Sequence, residues 1–220
     1  MMTKPRGPVW RAGLAWIALG AGLLLAQSNP PAAETSGLRH PEERHPSTQL
    51  RVPEERHLQN IRQLTFGGEN AEAYFSPDGR WLIFQSHQGP DTCDQIYVMD
   101  LEGGSRRRVS TGRGRTTCGF FFPDGKHILY SSTHHVAPNC PPPPDYTPRS
   151  GSGQARGYVW QVHPTYDIFT ARPGGSDLKQ LTATPGYDAE TTIAADGRIV
   201  FTSTRDCDLE IYTMNPDGSG

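Results

Sequence analysis

Three cysteines and two histidines are the side chains whose chemistry stands out: Cys93, Cys118, His134, His135 and Cys140. Cysteine and histidine together can hold zinc, but this spacing matches no zinc-finger pattern. In an oxidising compartment the same cysteines are disulfide candidates, and Cys93, Cys118 and Cys140 are read that way, with no metal assigned. Other chemistry is excluded by motif. The two Gly-Ser-Gly segments, 151–153 and 218–220, lack the strand-turn-helix setting of a nucleophilic serine. No HExxH zinc motif, phosphate loop or glycine-rich dinucleotide fingerprint is present. No catalytic residue and no cofactor are therefore expected.

The compartment is read from the N-terminus. Lys4, Arg6 and Arg11 precede an apolar run of 15 residues, Ala12 to Ala26, and polar, proline-rich sequence follows at once. Such a run is short for a membrane span and suits a signal peptide over 1–26, cleaved after Ala26 or Ala33. A retained single-helix anchor is the alternative. Either way the protein is expected in the periplasm or outside the cell. Residues 27–60 hold five prolines, six apolar residues and no aromatic residue, too little to build a core, and are read as a disordered linker. Within them Leu38–His45 recurs as Leu50–His57, a duplicated charged spacer. The net charge of −2 and pI near 6.4 argue against nucleic acid and anionic lipid as partners. A mean hydropathy of −0.60 excludes a multi-span membrane protein.

From Ile61 the chain repeats. Ala71–Gly79, Thr117–Gly125 and Glu190–Gly197 align on a closing Asp-Gly. Each is followed by an apolar run ending in Ser or Thr, then by Gln95–Asp100, Asp167–Arg172 or Glu210–Asn215, then by a glycine turn. A fourth element reads Arg62–Thr65, Arg107–Ser110 and Lys179–Thr182. Asp78 and Asp124 are 46 residues apart, and Ile168 and Ile211 are 43. Asp124 and Asp196 are 72 apart, the excess being a proline-rich insertion over 137–157. A period near 44 with four short strands is the signature of a β-propeller blade. Asp78, Gly79, Asp124, Gly125, Asp196 and Gly197 are expected to form the hairpin turns. The fold class is all-β, a propeller of four-stranded antiparallel blades with about three present over 61–220. They comprise a lone outer strand at 61–65, two full blades and three strands of a third. A truncated gene is the expected reason for so few.

Phe75-Ser-Pro-Asp-Gly-Arg80, Gln95-Ile-Tyr-Val-Met-Asp100 and the Leu-Thr endings at Leu64-Thr65 and Leu181-Thr182 resemble the TolB-like six-bladed propeller family of WD-like blades. The resemblance covers Ile61 to Gly220 and implies the fold. It departs at Ala195, which stands in place of proline, and at Cys207, which stands in place of the family's glycine. Residues 27–60 hold no counterpart of the family's N-terminal α/β domain, so a Tol–Pal role does not carry over. What it implies is a non-enzymatic binding or scaffold module of the cell envelope, with a protein or envelope component as partner. The alternative is the detached propeller of an exported prolyl-oligopeptidase-type serine peptidase. The insertion, with Tyr146, Tyr158 and Trp160, is the expected contact surface. Open blade edges invite self-association. Blade register puts all four cysteines on one face of the propeller. Cys118–Cys140 is then the expected bridge, Cys93–Cys118 the second choice, and Cys207 the free thiol.

Overall fold

A computed structural model describes residues 52–143 and 161–220. Among these residues there is no helix, only eleven strands in three antiparallel sheets. Blade 1 is β1 (Glu69–Phe75), β2 (Trp81–His87), β3 (Gln95–Asp100) and β4 (Arg106–Arg108). Blade 2 is β5 (Thr116–Phe121), β6 (Ile128–Ser132), β7 (Asp167–Ala171) and β8 (Lys179–Gln180). Blade 3 is β9 (Asp188–Ile193), β10 (Ile199–Ser203) and β11 (Glu210–Met214). Each sheet pairs its strands in chain order, as a meander.

The hairpins follow from their sequence. Gly79, Gly125 and Gly197 take φ of 70°, 63° and 86°, and their N–H groups close the turn on the carbonyls of Ser76, Phe122 and Ala194. Proline suits the second turn position and glycine the positive-φ fourth, giving a type I turn with a glycine bulge. The Asp carboxylates accept backbone N–H groups just beyond, from Arg80, from Lys126 and His127, and from Arg198. Ala195 replaces proline without changing this turn.

The Leu-Thr ending also has a cause. Ile96 and Ile168, second in β3 and β7, accept N–H bonds at 2.8 and 2.7 Å from Val109 and Leu181. Their own N–H groups donate to the hydroxyls of Ser110 and Thr182, which donate in turn to Gln95 and Asp167. One hydroxyl thus fastens the outer strand to the first two residues of the third. Residues 61–65, expected as a lone strand, form none: β1 begins at Glu69. The third strands of blades 1 and 2 already carry their own outer strands, so no edge is left there for it. Its Gln63 side chain nonetheless donates to the Thr65 carbonyl at 2.8 Å, as Gln180 does to Thr182.

The core lies between blades. Ile83, Ile96, Val98 and Val109 of blade 1 pack on Phe121, Ile128, Tyr130, Phe169 and Ala171 of blade 2. Leu129 and Ile168 face the other way, onto Ile199, Phe201 and Met214 of blade 3. Strand β6 is therefore buried at all five residues, whereas β10 is fully buried only at alternate ones. Period-2 alternation makes this difference a direct report of how many faces are covered. Gly119 sits at the first interface because a Cβ there would lie 3.0 Å from Ile83 Cγ1 and 3.1 Å from Ile96 Cγ2.

Candidate functional site

The innermost strands converge through a repeated irregularity. In each blade the pairing of inner and second strand slips, between Ala71 and Tyr74, between Thr117 and Phe120, and opposite Val200 to Thr202. At each slip a non-glycine residue adopts positive φ: Glu72 at 50°, Cys118 at 54° and Glu190 at 53°. This conformation is strained for such residues and recurs six residues before each turn aspartate. It brings one ligating atom from each of the three side chains within 4.8 Å of the others.

Hydrogen bonds account for much of this cluster. The Cys118 thiol donates to Glu190 Oε2 at 3.2 Å, and the Tyr187 hydroxyl to Glu190 Oε1 at 2.7 Å. Burial, then the Glu190 carboxylate, pushes the Cys118 thiol far up, so it stays protonated. Aromatic rings border the group. Tyr74 stacks on Phe120 at 3.9 Å, and Tyr166 meets Tyr187 edge-on at 5.7 Å. Inter-blade bonds fix the ring of residues further: Thr117 Oγ1 donates to Gln85 Oε1 and Thr191 Oγ1 to the Cys118 carbonyl.

A second group lies at the end of blade 1 away from its turn. Glu69 opens β1 and pairs across to His87, which closes β2; Asp94 immediately precedes β3. One ligating atom of each lies within 4.8 Å of the others. Arg115 Nε is 3.8 Å from Asp94 Oδ2. Burial raises the Asp94 carboxyl above its ordinary value, against the opposing pull of Arg115 and His87.

The insertion is tied to the same end. Cys93 and Cys140 form a disulfide with Cα atoms 5.9 Å apart, joining blade 1 to the segment that follows β6. The expected Cys118–Cys140 bridge is thus corrected, as is Cys93–Cys118. Cys118 lies within β5 at the strained bulge, turned to Glu190, whereas Cys93 and Cys140 both lie in connections between a second and a third strand. Cys207 is a free, exposed thiol. The two histidines have close protein neighbours. His134 packs on Phe169 at 4.4 Å, and burial pushes its pKa down to about 4. His135 Nε2 lies 2.8 Å from Asp167 Oδ2. Tyr146, Tyr158 and Trp160 lie outside the described residues. At the opposite end, between blades 1 and 2, Trp81, Arg107, Phe121, Pro123 and Pro173 line a cleft of about 400 Å³ beside the Asp78 and Asp124 turns.

Comparison with known proteins agrees on the fold. The structure superposes on a TolB candidate from Agrobacterium tumefaciens with a TM-score of 0.51 and 23% identity, over 72% of this chain and 50% of that one. TolB from Acinetobacter baumannii gives a TM-score of 0.52 at 23% identity, over 73% and 34%. This chain is a β-propeller. In sequence it is 25% identical over 154 residues to an uncharacterized protein, Atu1656, from Agrobacterium fabrum, across 66% of this chain and 42% of that protein. No family profile matches. The chain spans half or less of the length of these relatives.

Sequence reasoning missed both clusters. The signal for the first was available: Glu72, Cys118 and Glu190 occupy one column, six residues before Asp78, Asp124 and Asp196. The second depends on the β1–β2 register, which no motif announces.

Proposed function

We propose that the chain is an exported, non-enzymatic propeller that binds a protein or another envelope component. The observation that carries this reading is the Cys93–Cys140 disulfide, which ties the proline-rich insertion to blade 1 and suits an oxidising compartment. A rigid sheet scaffold holding a clamped loop is the usual platform for binding. The TolB-like fold supports a protein as the partner. Tyr146 of the insertion, and Tyr158 and Trp160 just beyond it, are the proposed anchors.

Two measurements test it. Intact mass of the protein from the envelope fraction should show the first 26 to 33 residues absent and one disulfide present. A full-length, reduced species confined to the cytoplasm would overturn export. A photo-crosslinker at Tyr158, incorporated in the native host, should give a discrete adduct that one at Arg106 does not. Equal labelling from both positions would remove the insertion as the contact surface.

A further inference from the structure

We infer that Glu69, His87 and Asp94 bind a divalent transition-metal ion of the Zn²⁺ class at the end of blade 1 opposite its Ser-Pro-Asp-Gly turn. The donor set is one imidazole and two carboxylates, which suits Zn²⁺ far better than it suits Ca²⁺ or Mg²⁺, ions that prefer oxygen alone. Three separate pieces of backbone present it. Glu69 and His87 are cross-strand partners in the β1–β2 ladder, so their Cα positions are set by the sheet. Asp94 is held from the neighbouring blade, where Thr116 donates both its N–H and its hydroxyl to the Asp94 carbonyl at 3.0 Å. The disulfide at Cys93 fixes the adjoining residue.

The β1–β2 register accounts for Glu69 facing His87; the arrival of Asp94 beside both is what a bound cation would explain. Ligating atoms of all three groups lie within 4.8 Å of one another, and among the described contacts no hydrogen bond joins any two of them. The single charged contact, from Arg115 Nε at 3.8 Å, is at the limit of an ion pair and forms no hydrogen bond. Two carboxylates are gathered beside an imidazole, with Arg115 at 3.8 Å from Asp94 the one guanidinium in ion-pair range among the described residues. Zinc bonds of about 2.0–2.2 Å place tetrahedral ligand atoms a little over 3 Å apart, so modest side-chain rotation closes the site. Glu69 is exposed, which leaves a fourth position open to solvent or to a ligand. The Glu72–Cys118–Glu190 group differs here, since hydrogen bonds already join its thiol and one carboxylate.

Competition between a zinc indicator dye and tag-free, chelator-stripped protein measures the site directly. Wild type should bind Zn²⁺ with micromolar or tighter affinity, undiminished by excess Mg²⁺. His87→Gln and Glu69→Gln should each weaken it on the order of 100-fold or more, given that even outer-shell partners are worth about 10–100-fold. His135→Gln should leave it unchanged, and Zn²⁺ should raise the Tm of wild type but not of Glu69→Gln. Glu69 is exposed, so that variant keeps its fold should His87→Gln lose it. Equal binding by wild type and Glu69→Gln, or no binding by wild type at micromolar Zn²⁺, overturns the site.

Discussion

Replacing Cys93 by serine removes the clamp between blade 1 and the insertion. The bridged residues are 47 apart in sequence. Closing a loop of that length restricts the unfolded chain by about 4 kcal/mol at room temperature in the chain-entropy treatment. For a domain of this size, a change of 1 kcal/mol moves Tm by about 2–4 °C, so the variant should melt roughly 10 °C lower. Differential scanning calorimetry of wild type, Cys93→Ser and Cys140→Ser measures it. The double variant should equal either single one, because both remove the same bond. Cys118→Ser should escape this loss, and wild type with reductant should match Cys93→Ser. The reasoning fails if reduction leaves Tm unchanged, or if peptide mapping finds Cys118 in the bridge.

Four further outcomes are expected. Gly119→Ala should destabilise by about 1–3 kcal/mol, read by urea unfolding, because its Cβ presses into Ile83 and Ile96. Iodoacetamide at pH 8 should label Cys207 quickly and Cys118 only after unfolding, since burial and Glu190 keep the latter protonated; peptide mass spectrometry resolves the two. His134 has its folded pKa lowered to about 4 from 6.5. The unfolded chain therefore binds the extra proton first, and stability falls as pH drops from 6.5 towards 4; His134→Gln should flatten that fall in a pH series of melts. Ile211, 76% exposed on the outer edge of β11, should promote self-association, and Ile211→Lys should reduce it in sedimentation velocity.

The hairpins, the blade period and the order of strands were legible because each rests on local chemistry. Proline, aspartate and glycine specify a turn within four residues, and alternation names the buried face. The Leu-Thr ending was legible as a repeat, but its reason, a hydroxyl bridging to Gln95 or Asp167, needs the β3–β4 and β7–β8 registers. Residues 61–65 carry the letters of an outer strand without a neighbour to make them one, since a strand exists only by pairing. The disulfide was assigned to the wrong cysteine because blade register gives the face and not the depth. Cys118 lies within its strand, where the bulge turns it inward. The αL bulges themselves are invisible to propensity, which disfavours Glu and Cys there.

The bridge between Cys93 and Cys140 also imposes an order of events on a chain made from its N-terminus. Cys118 emerges 25 residues after Cys93, and Cys140 only after a further 22. For that interval the nearest thiol to Cys93 is the wrong one, and loop closure favours the shorter ring, if only slightly. Enclosure of β5 by the blade that follows it favours native pairing, because Glu190 takes the Cys118 thiol and Thr191 its carbonyl from the C-terminal side. Oxidation before blade 3 is in place leaves Cys118 as a competing partner for Cys93; oxidation afterwards meets only Cys140 and the exposed Cys207. Burial of Cys118 against blade 3 thus withdraws the competing thiol and favours the Cys93–Cys140 bridge once that blade is in place.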